Sequence, residues 1–300
     1  MRFVCESSLK SRHKTTNLPT KMLFVAHKPP QITSNAFLST LKRRFGNKTL
    51  GFSGTLDPFA SGTLVVASDK HTRLFSHFNL SPKVYIATLW LGVDSPTLDI
   101  TGISRVSEIS EFPINSVEST LKSLKGNLTY TPPKFSAKKI GGIRAYHLVR
   151  ENADFALKPC EMEIFDIALL CYNHPFLSFK VSVSKGAYIR SLGQIIAKRL
   201  GVNGALSALR REREGDFTFE NYKLLNPLDF LPYPKLHLPF LKDDFLHGKK
   251  VHLGVDSTLF KEARIQKNKK YIVIFDDFFS IIWLDFYGRV EYILNRIDLC

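Results

Sequence analysis

The sequence GFSGTLDPFASG at positions 51–62 places one carboxylate, Asp57, among small and turn-forming residues directly before a proline. Glycine adopts backbone conformations that other residues avoid, and it lets a ligand approach the main chain closely. Pro58 disfavours a helical conformation at Asp57, which predicts that the carboxylate stands on an extended or turning segment. Such a loop can present a carboxylate to a ligand. The same residues also make ordinary turns, because Asp-Pro, glycine and serine are common in loops.

Several short motifs on either side of this loop follow one another in a set order. They are Lys28-Pro29, Lys83-x-Tyr85, PPKFSA at 132–137, SKGAYIR at 184–190 and LRR at 209–211. Together with GTLDP at 54–58 and ASGTL at 60–64, this ordered set resembles the TruB family of tRNA pseudouridine synthases. The resemblance extends from about residue 22 to about residue 226, and a weaker match continues to the end of the chain.

The resemblance implies an α+β fold, the pseudouridine synthase fold, with a central mixed, largely antiparallel sheet and a small β-rich, PUA-like C-terminal domain. Residues 1–21 are expected to form a disordered arm or an over-extended start, and residues 22–233 the catalytic domain. Residues 234–300 are expected to form a divergent PUA-like RNA-binding domain, because 238–251 resembles the entry to such domains. A β-rich cap on the core is the alternative for this last segment.

Composition and charge favour a folded protein that binds a polyanion. The chain has 300 residues, of which 44% are hydrophobic, and its formal net charge is +15. Such a surface attracts RNA, DNA or an acidic membrane. No apolar run approaches the roughly 18 residues of a membrane-spanning helix, and no secretory signal is evident, so no membrane association is expected. The four cysteines lie far apart without a C-x-x-C pair, which fits a reducing, cytoplasmic location.

Hydrophobic and turn patterns predict the elements that surround the loop. Strands are predicted at 22–26, 63–67, 83–92 and 177–183, and helices after Ser34 or Asn35 as cap, at 117–124 and at 192–200. The strand at 83–92 is apolar on both faces, which predicts a central strand. Other predicted segments are an irregular arm at 129–147, a proline-containing linker at 224–240, and short strands at 271–275, 279–284 and 289–294.

Several familiar catalytic motifs do not occur in the sequence. It has no G-x-x-x-x-G-K-[ST] phosphate loop, no H-E-x-x-H and no Cys/His cluster with metal-ligand spacing, so neither a metal nor a cofactor is expected. A phosphoaspartyl enzyme would pair its nucleophile with nearby acids that bind magnesium. The acid nearest to Asp57 is Asp69, which lies across a predicted strand. A solitary aspartate in a basic chain remains.

Pseudouridine synthesis, which the resemblance implies, needs few catalytic groups. Uracil must leave C1′ of its ribose, rotate and reattach through C5, with no net redox change. A carboxylate can be the nucleophile that divides such a step into two, and the resemblance assigns this role to Asp57. The sequence leaves open whether the carboxylate attacks C6 of the base, attacks C1′ of the sugar or removes a proton at C2′.

The resemblance also assigns roles to four other residues. Arg190 occupies the position that pairs with the catalytic aspartate, and its planar fork suits bidentate contact with a carboxylate. Tyr85 occupies the position of the active-site tyrosine, which packs on the base and is a candidate for removing the C5 proton. Tyr188, which shares a strand face with Arg190 if strand 177–183 continues, and Leu209 are expected to line the pocket. From the residues alone, a surface or phosphate-binding arginine and core tyrosine and leucine side chains are the alternatives.

Basic residues are the candidates for contacts with RNA phosphates, which position RNA without reading its sequence. Such contacts would offset the few kcal/mol needed to extrude a stacked uridine. The candidates are Lys28, Arg73, Lys134, Lys138 and Arg144, and Arg73 stands where the family carries a basic residue. Each of them is also compatible with an ordinary solvated surface charge.

Two positions depart from the family pattern. Phe52 stands where most members carry a histidine that helps to hold the displaced loop of the RNA. A phenylalanine stacks but has no ring nitrogen for a hydrogen bond, so the flipping step is expected to differ in detail. His27 stands where many members carry an aspartate before the Lys-Pro pair, and no functional meaning is assigned to it.

The expected activity is therefore conversion of uridine to pseudouridine in the TΨC loop of tRNA, at tRNA position 55 in the family. The expected partner is the TΨC stem-loop of tRNA, and a monomer without an obligate protein partner is expected. One alternative is a tRNA-binding folding chaperone for which catalysis is secondary. The other is the same chemistry on ribosomal RNA with a protein partner.

Overall fold

The computed structural model describes residues 21–136, 138–151, 153–253 and 265–299. The predicted arm at 1–21 lies outside these residues except for Lys21. In chain order the strands are β1 (Leu23–Lys28), β2 (Gly51–Phe52), β3 (Ser61–Ala67), β4 (Lys83–Leu91), β5 (Val93–Asp94), β6 (Arg105–Val106), β7 (Gly126–Tyr130), β8 (Lys139–Ile140), β9 (Ile143–Arg144), β10 (Cys160–Asn173), β11 (Phe176–Val183), β12 (Gly204–Glu214), β13 (Phe217–Thr218), β14 (Lys235–His237), β15 (Lys269–Ile274), β16 (Phe278–Leu284) and β17 (Val290–Asp298). The α-helices are α1 (Ser34–Arg44), α2 (Ile114–Lys122), α3 (Ala145–Arg150), α4 (Ile189–Arg199) and α5 (Lys242–Leu246).

A nine-stranded mixed sheet forms the main body. Its strands follow the order β1-β3-β12-β4-β11-β10-β7, with β2 paired to β3 and β13 to β12. All of these pairs are antiparallel except β3 with β12. The predicted strand at 83–92 is β4, which pairs with β12 on one side and β11 on the other, so its central position is confirmed.

Strand β12 has no counterpart among the predicted strands. Its sequence, GALSALRRERE, ends in a run of charges that reads as a solvated segment. In the structure Arg211 and Glu214 are buried within that run. Because paired charges stand where a half-buried strand normally carries apolar residues, the period-2 pattern that reveals strands is hidden here.

Helix α1 begins differently from the prediction. Thr33 is its cap, since the hydroxyl of Thr33 accepts a hydrogen bond from the backbone N–H of Ala36. The predicted cap Ser34 instead bonds to Leu56, accepting from its N–H and donating to its carbonyl, each at 3.0 Å. The serine therefore ties the start of α1 to the loop that carries Asp57. The apolar face of α1 is buried, with Phe37, Leu38 and Leu41 turned to the core.

The predicted irregular arm at 129–147 contains short regular elements. Residues 126–130 form β7 at the edge of the main sheet, a two-residue hairpin joins β8 and β9, and α3 follows directly. Between them, Pro132 and Pro133 are buried. The arm is thus anchored at its first strand, and Arg144, at the end of β9, is exposed.

A second, four-stranded sheet lies at the C-terminal end in the order β14-β15-β16-β17. The three predicted strands are confirmed as β15, β16 and β17. This sheet shares a hydrophobic cluster with the main sheet, in which Phe279 and Ile281 join Val25 and Val65. The predicted linker is part of the same cluster, because Leu228 and other apolar residues of 224–240 pack there. Within the described ranges, no helix is both long and apolar enough to cross a membrane.

Candidate active site

A cavity of about 330 Å³ opens where the loop at 51–62 meets β4, β12 and the start of α4. Its walls are formed by Gly54, Thr55, Leu56, Asp57, Lys83, Tyr85, Lys185, Gly186, Ala187, Tyr188, Ile189, Arg190, Leu209 and Arg211. The predicted residues Asp57, Tyr85, Tyr188, Arg190 and Leu209 are therefore brought together, although they span more than 150 positions of the chain.

The loop that carries Asp57 is held at several points. The Asp57 carbonyl accepts a bond from the N–H of Ala60 at 3.1 Å, and the N–H of Ser53 donates to the Val65 carbonyl at 2.9 Å. Gly62, where the loop enters β3, has φ +109° and packs against the backbone of Arg211. The loop is therefore built onto the parallel pair β3 and β12, with Asp57 at its turn.

Asp57 and Arg190 form a two-point ion pair at the cavity wall. Arg190 Nε lies 2.8 Å from Asp57 Oδ2, and Arg190 Nη2 donates to Asp57 Oδ1 at 3.0 Å. The arginine side chain is 3% exposed, whereas that of the aspartate is 33% exposed. The guanidinium thus lies behind the carboxylate, and the carboxylate faces the cavity. The two residues are thus paired, as the resemblance implied, with one hydrogen bond from Nη2 and one close ionic contact from Nε.

Arg190 is itself fixed by three further groups. It donates to the carbonyls of Thr97 at 2.8 Å and Phe135 at 2.9 Å, and its Nη1 lies 3.5 Å from Asp99 Oδ2. Asp99 is buried and accepts bonds from Thr97 Oγ1 and from the N–H of Thr101. Sequence reasoning missed Asp99, since nothing in its local sequence distinguishes it from an ordinary loop aspartate.

Burial and the charges of the site shift the pKa of Asp57 in opposite directions. Burial raises the pKa of the Asp57 carboxyl above its ordinary value, Arg190 opposes this rise, and the nearby Asp99 adds to it. The guanidinium is therefore the main group that favours the ionised form against the cost of desolvation. Lys28 also opposes the rise of this pKa, as a smaller influence.

Tyr85 and Leu209 lie on the neighbouring strands β4 and β12 and face the same cavity. Both are buried, with 6% and 7% of their surfaces exposed. Burial raises the pKa of the Tyr85 phenol, and Arg211 opposes this rise. The phenol is thus neutral near neutral pH and offers the cavity an aromatic face and an O–H group.

Tyr188 reaches the cavity by a route other than the predicted one. Strand β11 ends at Val183, so Tyr188 and Arg190 do not share a strand face. Tyr188 instead precedes the first turn of α4, and its N–H donates to the hydroxyl of Tyr130 at 3.1 Å. Burial raises the pKa of the Tyr188 phenol as well.

Lys28 lies beneath the loop and does not face the solvent. Its side chain is buried, and Nζ donates to the carbonyls of Pro29 at 2.9 Å, Ile32 at 2.7 Å and Pro58 at 3.3 Å. Burial lowers the pKa of Lys28 to about 8, and Asp57 opposes this lowering. These three carbonyls do not fit the phosphate contact considered from the sequence. Lys28 supports the residue next to Asp57.

The other predicted contacts lie outside the cavity wall. Phe52, in β2, pairs with Val66 and packs against the hydrophobic cluster beneath α1. Arg73 is exposed on a 3₁₀ helix over Asp69–Ser76. On the arm, Lys134 and Arg144 are exposed. Contacts of these residues with RNA stay predictions.

A second group of charges was not predicted from the sequence. Lys83, Arg211 and Glu214 are buried together beneath the loop, and the first two also line the cavity.

The described residues contain no group of three or more His, Cys, Asp or Glu side chains placed to hold a metal ion. The described cysteines, Cys160 and Cys171, carry free thiols.

Comparisons with known proteins bear on this site. The family model of the TruB family pseudouridylate synthase N-terminal domain matches residues 42–189. A tRNA pseudouridine synthase B of Helicobacter hepaticus is 50% identical over 281 residues, which cover 92% of this chain and 95% of that relative. The chain belongs to the TruB family of pseudouridine synthases. As a TruB protein it is an enzyme, an isomerase, and the resemblance seen in its motifs is confirmed.

Other TruB relatives match over similar lengths. The tRNA pseudouridine synthase B of a Sulfurovum species is 46% identical over 92% of this chain and 96% of its own. Among solved structures, a Cbf5–Nop10–Gar1 complex gives a TM-score of 0.62 at 20% identity, with 94% of this chain and 85% of that chain covered. An H/ACA RNP bound to a substrate RNA gives 0.61 at 18% identity, with 94% and 86% covered. The predicted α+β fold is confirmed by these structures.

Proposed function

We propose that this enzyme isomerises uridine to pseudouridine in tRNA, at position 55 of the TΨC loop, with Asp57 as the nucleophile. The observation that carries the proposal is the Asp57 carboxylate, which faces a cavity of about 330 Å³ while Arg190 contacts both of its oxygens from behind. A cavity of this size lies within the range of small-molecule sites, and one extruded base is the ligand that it would hold.

The reaction needs a base that has left the stack. Extrusion of a uridine costs a few kcal/mol, and the positive surface of a chain with net charge +15 supplies attraction to the phosphates. The substrate class rests on the relatives named tRNA pseudouridine synthase B. The basic residues on the arm and the PUA-like segment 234–300 are the proposed additional contacts with tRNA.

In the proposed mechanism Asp57 opens the reaction and the base is then rotated. The bond from C1′ to N1 breaks, a bond from C1′ to C5 forms, and the proton lost from C5 is replaced by one gained at N1. Attack at C6, attack at C1′ and proton removal at C2′ all begin from an ionised Asp57. The raised pKa of Tyr85 keeps its phenol protonated, so we assign Tyr85 to packing and hydrogen bonding with the base. Its use as the C5 base would require deprotonation of that phenol.

We also propose that the enzyme acts as a cytoplasmic monomer. The cysteines lie far apart in the sequence, so they call for no oxidising compartment. The proposed reaction uses groups of a single chain, so it calls for no second chain. The similar Cbf5 structure is that of a complex with Nop10 and Gar1, so an obligate partner is the competing arrangement. Light scattering during size-exclusion chromatography, followed by an activity assay of the monomer peak, distinguishes the two.

The test of the main proposal is tritium release from tRNA transcripts labelled at uridine C5. We expect release that corresponds to one TΨC-loop uridine, loss of that release in Asp57→Asn, and tRNA affinity within about tenfold, because phosphate contacts dominate binding. Asp216→Asn is the matched control, since Asp216 is exposed and is not part of the cavity wall.

Three results would count against the proposal. No tritium release together with tight tRNA binding would favour the chaperone alternative. Release from a ribosomal RNA fragment in preference to tRNA would favour the other alternative. Loss of tRNA binding together with activity in Asp57→Asn would make Asp57 a structural residue.

A further inference from the structure

Glu214, the last residue of β12, is a buried carboxylate that the mechanism does not use. Its side chain is 0% exposed. Oε1 lies 2.8 Å from Lys83 Nζ and accepts a bond from Ser53 Oγ at 3.0 Å, while Oε2 lies 3.1 Å from Arg211 Nη2. Two buried cations and one hydroxyl therefore converge on a single carboxylate.

This charge network makes hydrogen bonds to both ends of the loop that carries Asp57. Ser53 belongs to the first end, and Arg211 donates to the Gly54 carbonyl at 3.0 Å. At the other end, Arg211 Nε donates to the Thr63 carbonyl at 2.8 Å. The loop from 53 to 63 is thus bound to β4 and β12 through groups that Glu214 holds in place.

Gly54 shows how closely the network approaches the loop. A Cβ at this position would lie 2.7 Å from Glu214 Oε1 and 2.8 Å from Lys83 Nζ, and its φ is +56°. Only glycine allows both the left-handed conformation and this contact. Glycine is therefore required at position 54 both by the close contact with Glu214 and Lys83 and by the backbone conformation of the turn.

The same network forms part of the cavity wall. Lys83 and Arg211 line the cavity with Asp57 and Tyr85. Without Glu214, two cations would stay buried there with no carboxylate between them, and like charges in a dry site repel strongly. Movement of the loop or entry of water would then relieve this repulsion.

We propose that Glu214 is a positioning residue for the isomerisation, which holds the Asp57 loop, Lys83 and Arg211 in the arrangement that the reaction needs. The proposal rests on the proposed function, since it concerns the same cavity. It assigns no contact with RNA to Glu214, so a loss of Glu214 acts on the reaction step and leaves phosphate binding in place.

The experiment measures single-turnover tritium release with excess enzyme, together with tRNA affinity and melting temperature. For Glu214→Gln we expect the rate constant to fall at least about tenfold with Kd within about threefold, because the change in charge and geometry is confined to the cavity wall. Glu212→Gln is the matched control on the same strand, since Glu212 pairs with the exposed Lys180 and Arg210. Its rate should match that of the unmodified enzyme.

Ser53→Ala keeps the test decisive if Glu214→Gln does not fold, and a double variant adds a test of coupling if it does. Ser53→Ala retains every charge and removes one hydrogen bond, and we expect a rate loss of about threefold or more. In Glu214→Gln with Lys83→Met, the combined loss should be smaller than the product of the single losses, because the residues share one network.

The proposal would be overturned by unchanged rate constants in folded Glu214→Gln and Ser53→Ala, even if their melting temperatures are lower. It would also be overturned by strictly multiplicative losses in the double variant. No tritium release from the unmodified enzyme would instead remove the proposed function, so the two failures are distinguishable.

Discussion

Opposing influences act on the pKa of the Asp57 carboxyl: burial and the nearby Asp99 raise it, and the guanidinium of Arg190 lowers it. Burial raises the pKa of its carboxyl, and the two-point contact with Arg190 opposes that rise. A nucleophilic carboxylate must be ionised when the base arrives. With Asp57 as the proposed nucleophile, we expect this balance to set the lowest pH at which the enzyme works.

The single-turnover rate should rise with pH through a pKa above the ordinary aspartate value of 3.8. The folded-state pKa is raised, so protonation of Asp57 begins at a higher pH than for an exposed aspartate, and activity is lost as pH falls through that value. In Arg190→Lys the opposing influence is weaker, because lysine lacks the planar fork. The acid limb of the rate profile of Arg190→Lys should therefore move to higher pH, and its plateau rate should fall.

Rate profiles that begin near the ordinary aspartate pKa of 3.8 and extend to neutral pH would check this expectation. Arg210→Lys, at an exposed arginine on β12, is the control and should leave the profile unchanged. If the acid limb of Arg190→Lys stays where it is in the unmodified enzyme, Arg190 does not govern ionisation of Asp57.

At the scale of elements, the loop at 51–62 depends on the parallel pairing of β3 with β12. Gly62 is the point of closest approach, where a Cβ would overlap the carbonyl oxygen of Arg211. The backbone of Arg211 cannot move aside without disturbing the buried charges that its side chain serves. Close strand contact and loop geometry are therefore linked at this one residue.

Gly62→Ala should destabilise the protein by more than about 3 kcal/mol and lower its activity, because a left-handed φ and a backbone clash combine there. Gly126→Ala is the matched control, since Gly126 has φ +107°, close to the +109° of Gly62, and a Cβ added there would meet no atom within 4 Å. It should cost only about 1–2 kcal/mol. Urea unfolding of both variants measures the difference, and equal losses would contradict a clash at Gly62.

At the scale of the whole molecule, the two sheets are not independent. Phe279 and Ile281 of β16 lie in one cluster with Leu23, Val25 and Val65 of the main sheet. Removal of 241–300 would expose the apolar side chains of β1 and β3. A truncation is consequently a poor measure of what the C-terminal sheet contributes to RNA binding.

Phe279→Ala should lower the free energy of unfolding of the whole chain by about 3–5 kcal/mol, because a buried aromatic side chain is lost from the shared cluster. Unfolding should still occur in one transition that includes both sheets. Phe286→Ala, at a C-terminal position that is 59% exposed, is the control and should change little. Two separate transitions in calorimetry would show that the sheets unfold independently.

The amino-acid sequence alone was enough to establish the family, most of the elements and five residues of the cavity. Short motifs and hydrophobic periods are local properties, so the loop at 51–62, β4, β11, α4 and the C-terminal strands could be predicted. The roles of Asp57, Arg190, Tyr85, Tyr188 and Leu209 came from the family resemblance. The structure places all five at one cavity.

Which charges are buried, and what they hold, became clear only from the packing of the folded chain. Lys28 was considered as a phosphate contact and lies beneath the loop, while Asp99 and Glu214 carried no sequence signal and are buried beside Arg190 and Arg211. Strand β12 was hidden for the same reason. A charged residue reads as exposed unless its partner is known. The partners of Glu214 and Arg211 at Ser53, Thr63 and Lys83 lie more than 100 positions away in the chain.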